Sequence, residues 1–247
     1  MSTNLVIDIG NHSTKVYFYT NGNIVRQKNI PGHDWAKIKL AIENESYQSS
    51  IISSVVEIDS ELTSVLRKTS ACIVFDSSTP IPLKIKYTSP STLGPDRLAA
   101  STAGWQLSGG GNVLTIVAGT CITYNLVDAT GTFLGGSIAP GIHMRLRAMN
   151  EFTGKLPLVS IEGEHPLVGH STETSIRSGV YHGVVNETKS MIESYKAEIP
   201  ELKIVVSGGD GSFLAEALKN GIFARPELIA EGLNTILNYN VANRLIR

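Results

Sequence analysis

Residues 5–18 read LVIDIGNHSTKVYF, and this stretch decides the fold. Two apolar runs, residues 5–7 and 16–18, flank a polar segment that contains a glycine, a pattern that predicts two strands joined by a tight turn. A carboxylate at the end of a buried strand, followed by a glycine that lets backbone N–H groups face outward, is typical of a phosphate-binding loop. The residues alone leave open the alternative of an ordinary hairpin with a polar tip.

The polar side chains of this segment suit the phosphates of a nucleotide. Asp8 could hold a divalent cation, either directly or through water. Asn11, Ser13 and Thr14 can donate hydrogen bonds, and Lys15 supplies a positive charge. We therefore interpret the segment as a candidate phosphate site.

The same pattern occurs a second time in the chain. Residues 5–27 align with residues 114–136 without a gap. Each copy predicts three short strands, with a glycine turn after the first strand and a glycine-centred hairpin after the second. The coinciding pairs are Leu5 and Leu114, Ile7 and Ile116, Gly10 and Gly119, Thr14 and Thr123, and Gly22 and Gly131.

A repeated three-stranded unit predicts two related halves, each with its own sheet. We place these halves at residues 1–111 and 112–247, with the glycine-rich segment 108–112 as the hinge. Two glycine loops that face each other would hold the phosphates of a nucleotide from both sides. This arrangement resembles the superfamily of actin, hexokinase and acetate kinase.

Apolar periodicity and turn residues predict the other elements of the chain. The longest helix would begin after Ser171 or Thr172, either of which can serve as its N-cap. The predicted helices are 34–41, 60–68, 96–107, 144–152, 174–198, 210–219 and 227–238, and the further strands are 50–56, 71–75 and 203–207.

The composition agrees with a compact soluble protein, for which we expect a cytoplasmic location. The chain has 247 residues, of which 42% are hydrophobic and 17% are charged, enough for two domains with real cores. A net charge of −1 predicts neither a nucleic-acid partner nor a membrane surface. The first residues lack the basic and apolar regions of a signal peptide. Cys72 and Cys121 have no metal-ligand spacing, so we expect reduced thiols.

A second group of chemically suited residues lies between Tyr87 and Arg97. This segment combines an aromatic ring, a turn, the carboxylate of Asp96 and the guanidinium of Arg97 within a few residues. Both charged residues stand at a predicted helix start, where backbone N–H groups favour anions. The alternative is that Asp96 caps the helix and Arg97 lies on the surface.

Three glycine motifs complete the candidate site. Gly119 and Thr120 form the second predicted phosphate turn, for which an ordinary β-bend is the alternative. The segment 135–141 is too apolar for a solvent loop, so we expect it to pack beneath the cleft or at a subunit interface. Gly208 and Gly209 follow a buried strand and would allow a flat ring such as adenine to approach the backbone closely.

Six segments, in order along the chain, resemble the type III pantothenate kinase family, whose members catalyse the first committed step of coenzyme A biosynthesis. The resemblance implies an α/β fold of two related ribonuclease-H-like halves, the actin-like ATPase fold, each with a mixed β-sheet flanked by helices. It also implies ATP-dependent phosphorylation of pantothenate to 4'-phosphopantothenate. The segments are DIGNHSTK (8–15), Tyr87 with LGPDR (93–97), VAGTCIT (117–123), GGSIAPG (135–141), residues 172–179 and VVSGGD (205–210).

The resemblance also implies the roles of individual residues. Asp96 would accept the proton of the attacking hydroxyl, Asp8 would anchor Mg²⁺, and the chain would form a homodimer. The implied ATP-binding residues are Asp8, Ile9, Gly10, Asn11, His12, Ser13, Thr14, Lys15, Gly119, Thr120, Gly208 and Gly209. The implied pantothenate-binding residues are Tyr87, Gly94, Pro95, Asp96, Arg97 and Thr172.

One position departs from the pattern of the family. The second loop usually reads Asp-x-Gly-Thr, and its Asp binds an activating monovalent cation, K⁺ or NH₄⁺. Here the residue is Val117, which aligns with Asp8 in the internal repeat. We therefore expect little stimulation by potassium, while Gly119 and Thr120 preserve ATP binding.

Two other functions remain open from the sequence. The chain could be a kinase of the same fold for another small alcohol, or a nucleotide-binding regulator that has lost catalysis. The presence of Asp8, Lys15, Asp96 and Arg97 favours an active enzyme. The negative net charge gives no support to DNA binding.

Overall fold

The computed structural model describes residues 2–218, 222 and 224–246. Its elements fall in two compact units, which we consider separately. The first unit comprises Met1–Leu107, Gly131–Phe133 and Glu227–Arg247, and the second comprises Ser108–Thr130 and Leu134–Pro226. The division expected after residue 111 stays a prediction; the compact units give residues 108–111 to the second unit, and residues 131–133 and the closing segment to the first.

Ten strands and seven α-helices are formed by the described residues. In chain order they are β1 (Thr3–Ile9), β2 (Ser13–Thr20), β3 (Asn23–Pro31), α1 (Trp35–Ile42), β4 (Ser49–Ser54), α2 (Ser60–Thr69), β5 (Ala71–Val74), β6 (Lys84–Ile85), α3 (Pro95–Leu107), β7 (Val113–Ala118), β8 (Cys121–Val127), β9 (Thr132–Pro140), α4 (Ile142–Glu151), α5 (Thr172–Glu198), β10 (Lys203–Ser207), α6 (Gly211–Leu218) and α7 (Leu228–Ala242).

The first unit is built on a mixed sheet with the strand order β3-β2-β1-β4-β5. Strand β2 runs antiparallel to β1 and β3, whereas β1, β4 and β5 are parallel. Alternate residues of β1 form a core with Ile38 of α1 and Leu62 of α2. On the other face, Asn4 donates hydrogen bonds to Asn234 and Asn238 of α7, both 2.8 Å long. Helices therefore flank both faces of this sheet.

Helices α3 and α7 pack closely in the first unit. A Cβ atom added to Gly232 of α7 would lie only 1.8 Å from the backbone oxygen of Ala99 in α3. Because only glycine permits this approach, Gly232 allows α7 to pack directly on α3 and fix its position. This contact matters for the site, since α3 begins with the segment that contains Asp96.

The second unit repeats the design with the strand order β10-β7-β8-β9. Strand β10 is parallel to β7, and β8 is antiparallel to it. Its core includes Ile116 and Tyr124 of the sheet and Ile176 of α5. The first residues of β9, Thr132 and Phe133, belong to the first unit and pair there with β6.

The structure corrects the ungapped alignment of the two hairpins. In the first hairpin Ile9 pairs with Thr14, which leaves residues 10–13 in the turn. In the second hairpin Ala118 pairs with Ile122, which leaves only residues 119–121. The second turn is therefore one residue shorter, and the following strand is shifted by one position.

This shift changes which residues are equivalent. Lys15 lies opposite Asp8, and Thr123 lies opposite Val117. Thr123 is therefore the counterpart of Lys15, not of Thr14 as the sequence alignment predicted. The reason is the length of the glycine turn, which sets strand register in a hairpin.

Most predicted elements are present, with shifted ends. Ser171 is the N-cap of α5 and forms a capping box with Thr174, which decides between the two predicted caps. Helix α7 extends to Ala242, beyond its predicted end at 238, and the predicted end of α6 at Lys219 lies outside the described residues. Of the described helices, none is both long enough and apolar enough to cross a membrane.

Candidate functional site

Asp8 lies near the end of β1, between Lys15 of β2 and Ser53 of β4. Burial raises the pKa of the Asp8 carboxyl to about 6, the charge of Lys15 opposes this rise, and the nearby charge of Asp96 adds to it. The first loop and the start of α3 are thus close enough for their charged groups to interact. Burial makes ionisation of this carboxyl unfavourable. A cation bound beside it would favour the ionised form, so Asp8 is a suitable cation ligand.

The turn between β1 and β2 is held by its own backbone. The N–H of Gly10 donates to the oxygen of Ser13 at 3.0 Å, and the exposed tip consists of Asn11 and His12. The side chain of Thr14 is fully buried, and its hydroxyl donates to the oxygen of Gly32 at 3.1 Å. Thr14 therefore stabilises the loop through its side chain.

Lys15 faces a small cavity in the first unit. The cavity has a volume of about 290 Å³, and Tyr17 and Glu227 also line it. Burial, together with the charges of Asp8 and Glu227, raises the pKa of Tyr17, so the phenol stays protonated. Sequence reasoning missed Glu227, because it precedes α7 and comes beside the loop only through packing of that helix.

Asp96 lies in the first turn of α3, which begins at Pro95. A Cβ atom added to Gly94 would come within 2.6 Å of Oδ1 of Asp96, so glycine is needed for the carboxylate to fold back over the turn. Burial raises the pKa of Asp96, while the backbone N–H and the charge of Arg97 lower it. A partly buried carboxylate with a raised pKa can accept a proton during a reaction more readily than an exposed one.

Arg97 is buried, with only 5% of its surface exposed. This excludes the alternative that it is a surface residue. Its guanidinium carbon lies 6.0 Å from the ring centroid of Tyr87 and 5.7 Å from that of Phe133. Two aromatic rings therefore orient a charged group that donates in a fixed fork.

Phe133 is a residue that sequence reasoning missed. It is fully buried at the start of β9, and its neighbour in the parallel pairing is Ile85 of β6. No local pattern points to it, because its contact with Arg97 joins distant parts of the chain. The segment 131–133 is also supported by Trp105, which a Cβ atom on Gly131 would meet at 3.0 Å.

In the second unit, three of the predicted motifs converge on the shorter hairpin turn. A Cβ atom on Gly141 would lie 2.0 Å from the oxygen of Gly119. A Cβ atom on Gly208, which has a φ of +96°, would lie 2.1 Å from the oxygen of Ala118. The N–H of Gly141 also donates to the oxygen of Thr120 at 3.0 Å. The segment 135–141 thus supports the second turn.

The structure places the predicted residues in two groups. Asp8–Lys15, Tyr87 and the run from Gly94 to Arg97 belong to the first unit, and Gly119, Thr120, Gly208 and Gly209 belong to the second. Thr172 is the exposed first residue of α5 in the second unit. Cys72 and Cys121 are free thiols, as expected.

Comparison with known proteins identifies relatives over nearly the whole chain. The family model for type III pantothenate kinase matches residues 4–194. A type III pantothenate kinase of Christiangramia forsetii is 39% identical over 239 residues, covering 96% of this chain and 98% of that protein.

Solved structures share the fold at lower identity. A Campylobacter jejuni protein described as a conserved Baf family transcriptional activator has a TM-score of 0.61 at 22% identity, covering 96% of this chain and 99% of that one. A ROK family glucokinase from Streptomyces griseus, crystallised with glucose and AMPPNP, has a TM-score of 0.52 at 11% identity, with coverages of 96% and 99%. These similarities confirm the predicted fold class.

Proposed function

This chain belongs to the type III pantothenate kinase family, and on that premise we propose that it transfers the γ-phosphoryl group of ATP to the primary hydroxyl of pantothenate. The product is 4'-phosphopantothenate, in the first step of coenzyme A biosynthesis. The observation that carries the proposal is the meeting, within one unit, of the first phosphate loop with Asp96 and the buried Arg97.

The proposed chemistry suits these residues. Phosphoryl transfer depends on alignment and on neutralisation of charge more than on covalent help from the protein. Asp96 orients the substrate hydroxyl and takes its proton, and Arg97 offers two parallel donors to the pantothenate carboxylate or to the developing phosphate charge. Mg²⁺ supplies charge neutralisation when bound with ATP, and Asp8 is the residue that would hold it.

The remaining assignments extend the proposal to the second unit. Gly119 and Thr120 contact the ATP phosphates, Gly208 and Gly209 leave room for adenine, and Thr172 contacts pantothenate. The packing of Gly141 and Gly208 against the second turn supports the assignment of Gly119 and Thr120, and a Cβ atom on Gly209 would meet nothing within 4 Å, which leaves open space there. Ile9 would take part in the ATP site through its backbone, since its side chain is buried in the core, whereas His12 lies exposed at the tip of the loop.

We further propose a cytoplasmic homodimer. Four apolar side chains between α4 and α5 in the second unit are well exposed, a feature typical of protein interfaces. They are Phe152, Leu158, Leu167 and Val168. Sedimentation equilibrium of the purified protein tests this assignment, and a monomer at micromolar concentration would contradict it.

An ATP-consumption assay with and without pantothenate tests the function. We expect ADP to form only when pantothenate is present, with one phosphopantothenate detected by mass spectrometry for each ATP consumed. ATP consumption with a different small alcohol, but not with pantothenate, would indicate that the enzyme has another substrate. Nucleotide binding without turnover on any alcohol would favour the regulator.

Lys15 and Thr120 should each contribute to the binding of ATP. Lys15→Ala removes a charge-assisted hydrogen bond, so we expect the KM for ATP to rise about 10- to 100-fold. Thr120→Ala should raise the same constant, and neither change should alter the KM for pantothenate more than about twofold. Steady-state kinetics with each substrate varied in turn measures both effects.

Lys68→Ala is the matched control for Lys15, since it removes an exposed lysine at the end of α2. Its kinetics should be those of the unmodified enzyme. If Lys15→Ala behaved in the same way, Lys15 would be only a surface residue of the hairpin.

The response to potassium should depend on residue 117. Val117 offers no oxygen ligand, so we expect the rate to change little when potassium is titrated at constant ionic strength. Its neighbours in register are Thr123 and Ser207, whose side chains could support a carboxylate at this position. Val117→Asp should therefore make the rate potassium-dependent.

Rates in a Tris-based buffer, with sodium replacing potassium in the control series, measure this response. Steep and saturable activation of the unmodified enzyme would show that other oxygens bind the cation. A flat response in both proteins would show that the residue at 117 does not decide the requirement.

A further inference from the structure

A two-residue segment outside every predicted motif forms hydrogen bonds with the first phosphate loop. We call it the loop brace, and it consists of Gly32 and His33. Nε2–H of His33 donates to the backbone oxygen of Gly10 at 2.7 Å. The N–H of Gly32 donates to the oxygen of His12 at 2.8 Å, and the oxygen of Gly32 accepts the hydroxyl of Thr14 at 3.1 Å.

The local sequence explains why the brace reaches the loop. Strand β3 ends at Pro31, and Gly32 has a φ of +65°, a left-handed conformation that glycine adopts without strain. Asp34 then caps α1 by accepting the N–H of Lys37 at 3.1 Å. The chain is therefore turned sharply between a strand and a capped helix, with His33 between the two.

The imidazole of His33 also contacts the ring of Trp35. The two rings are stacked, with centroids 6.4 Å apart and planes 24° apart. Trp35 is the first residue of α1 and packs against the core of the first unit. His33 thus connects the loop backbone to a fixed part of the fold, which limits the positions that the ring can take.

Fixing one carbonyl also fixes the next N–H group. The oxygen of Gly10 and the N–H of Asn11 belong to one planar peptide unit and point in opposite directions. When His33 holds the oxygen, the Asn11 N–H is directed to the other side of the loop. Donors that are oriented before an anion arrives bind it better than donors that must first reorganise.

We propose that His33 is a positioning residue that orients the Gly10–Asn11 peptide for the phosphates of ATP. It acts through the loop backbone and does not itself contact the nucleotide. This inference rests on the proposed function, because it takes the first loop as the phosphate site. The expected ligand is a nucleoside polyphosphate with Mg²⁺.

Calorimetric titration with MgADP tests the proposal without requiring turnover. His33→Ala should weaken MgADP binding about five- to tenfold, the range expected for loss of one hydrogen bond that orients a donor. His33→Gln retains a donor at a similar distance from the backbone and should recover part of this loss. In kinetics, the KM for ATP should rise while the KM for pantothenate stays within about twofold.

His182→Ala is the matched control. Nε2 of His182 also bonds to a backbone oxygen, that of His165 at 3.1 Å, but it lies in the second unit away from both predicted turns in sequence. The variant His182→Ala should lose a similar hydrogen bond without a change in the affinity for MgADP. Amide hydrogen exchange of residues 11–13 without nucleotide should speed up in His33→Ala and stay unchanged in His182→Ala.

The outcomes separate this inference from the proposed function. Unchanged MgADP affinity in His33→Ala, or an equal loss in His182→Ala, would overturn the positioning role. If the unmodified enzyme bound MgADP in a His33-dependent manner but did not phosphorylate pantothenate, the proposed function would fail and the positioning role would stand. If the unmodified protein bound no MgADP, both would fail.

Discussion

Asp96→Asn should lower the turnover of pantothenate by about two to four orders of magnitude, the range expected when a general base is removed. Asn keeps the shape of the side chain above Gly94 but cannot accept the hydroxyl proton. The fold and the affinity for MgADP should stay unchanged, because Asp96 acts on the substrate hydroxyl. Single-turnover rates with saturating ATP and pantothenate measure the effect.

The pH profile provides a second test of Asp96. Because burial raises the pKa of Asp96 above its ordinary value, the acid limb of kcat/KM for pantothenate should lie at a higher pH than for an exposed carboxylate. Asp76→Asn is a suitable control, since Asp76 accepts hydrogen bonds from Ser78 and Thr79 in an exposed turn. Near-normal turnover in Asp96→Asn would refute the assignment.

Asp8→Asn should make the nucleotide-free protein more stable at pH 7 while lowering turnover about 100-fold. Burial raises the pKa of Asp8 from 3.8 to about 6, so the folded state binds more protons than the unfolded state between these values. Stability from this group is therefore lost as the pH rises through this window. Removing the ionisable group should recover up to about 3 kcal/mol at pH 7.

Urea unfolding at pH 4 and pH 7, without nucleotide or Mg²⁺, measures this difference. The gain in Asp8→Asn should be present at pH 7 and nearly absent at pH 4, where the carboxyl of the folded protein is protonated. A loss of stability at pH 7 would show that Asp8 is a structural residue. A gain of stability with normal turnover would show that its charge is not used in catalysis.

The gain in stability and the loss of turnover expected of Asp8→Asn have one physical cause. A buried carboxylate is retained at a cost in stability when its charge is needed for a ligand. The charge of Asp96 adds to this cost at Asp8, because it contributes to the raised pKa of the Asp8 carboxyl. A cation bound by Asp8 would relieve this cost, and MgADP should therefore stabilise the unmodified protein more than Asp8→Asn.

Local patterns in the sequence determined much of this protein. The strands on either side of Gly10, the glycine turn at Gly119 and the capped start of α5 were all predictable, because strand alternation, turn residues and caps act over a few neighbouring positions. The ordered motifs were sufficient to indicate the family and the fold class, and both are confirmed.

Tertiary structure decided the contacts that join distant segments. The length of the second turn shifts Thr123 opposite Val117, and the packing of α7 on α3 assigns the closing helix to the first unit. Phe133 meets Arg97, and His33 meets Gly10, without any local signal. These pairings depend on the register of strands and the close packing of helices, which are set by interactions across the whole unit rather than by the residues on either side.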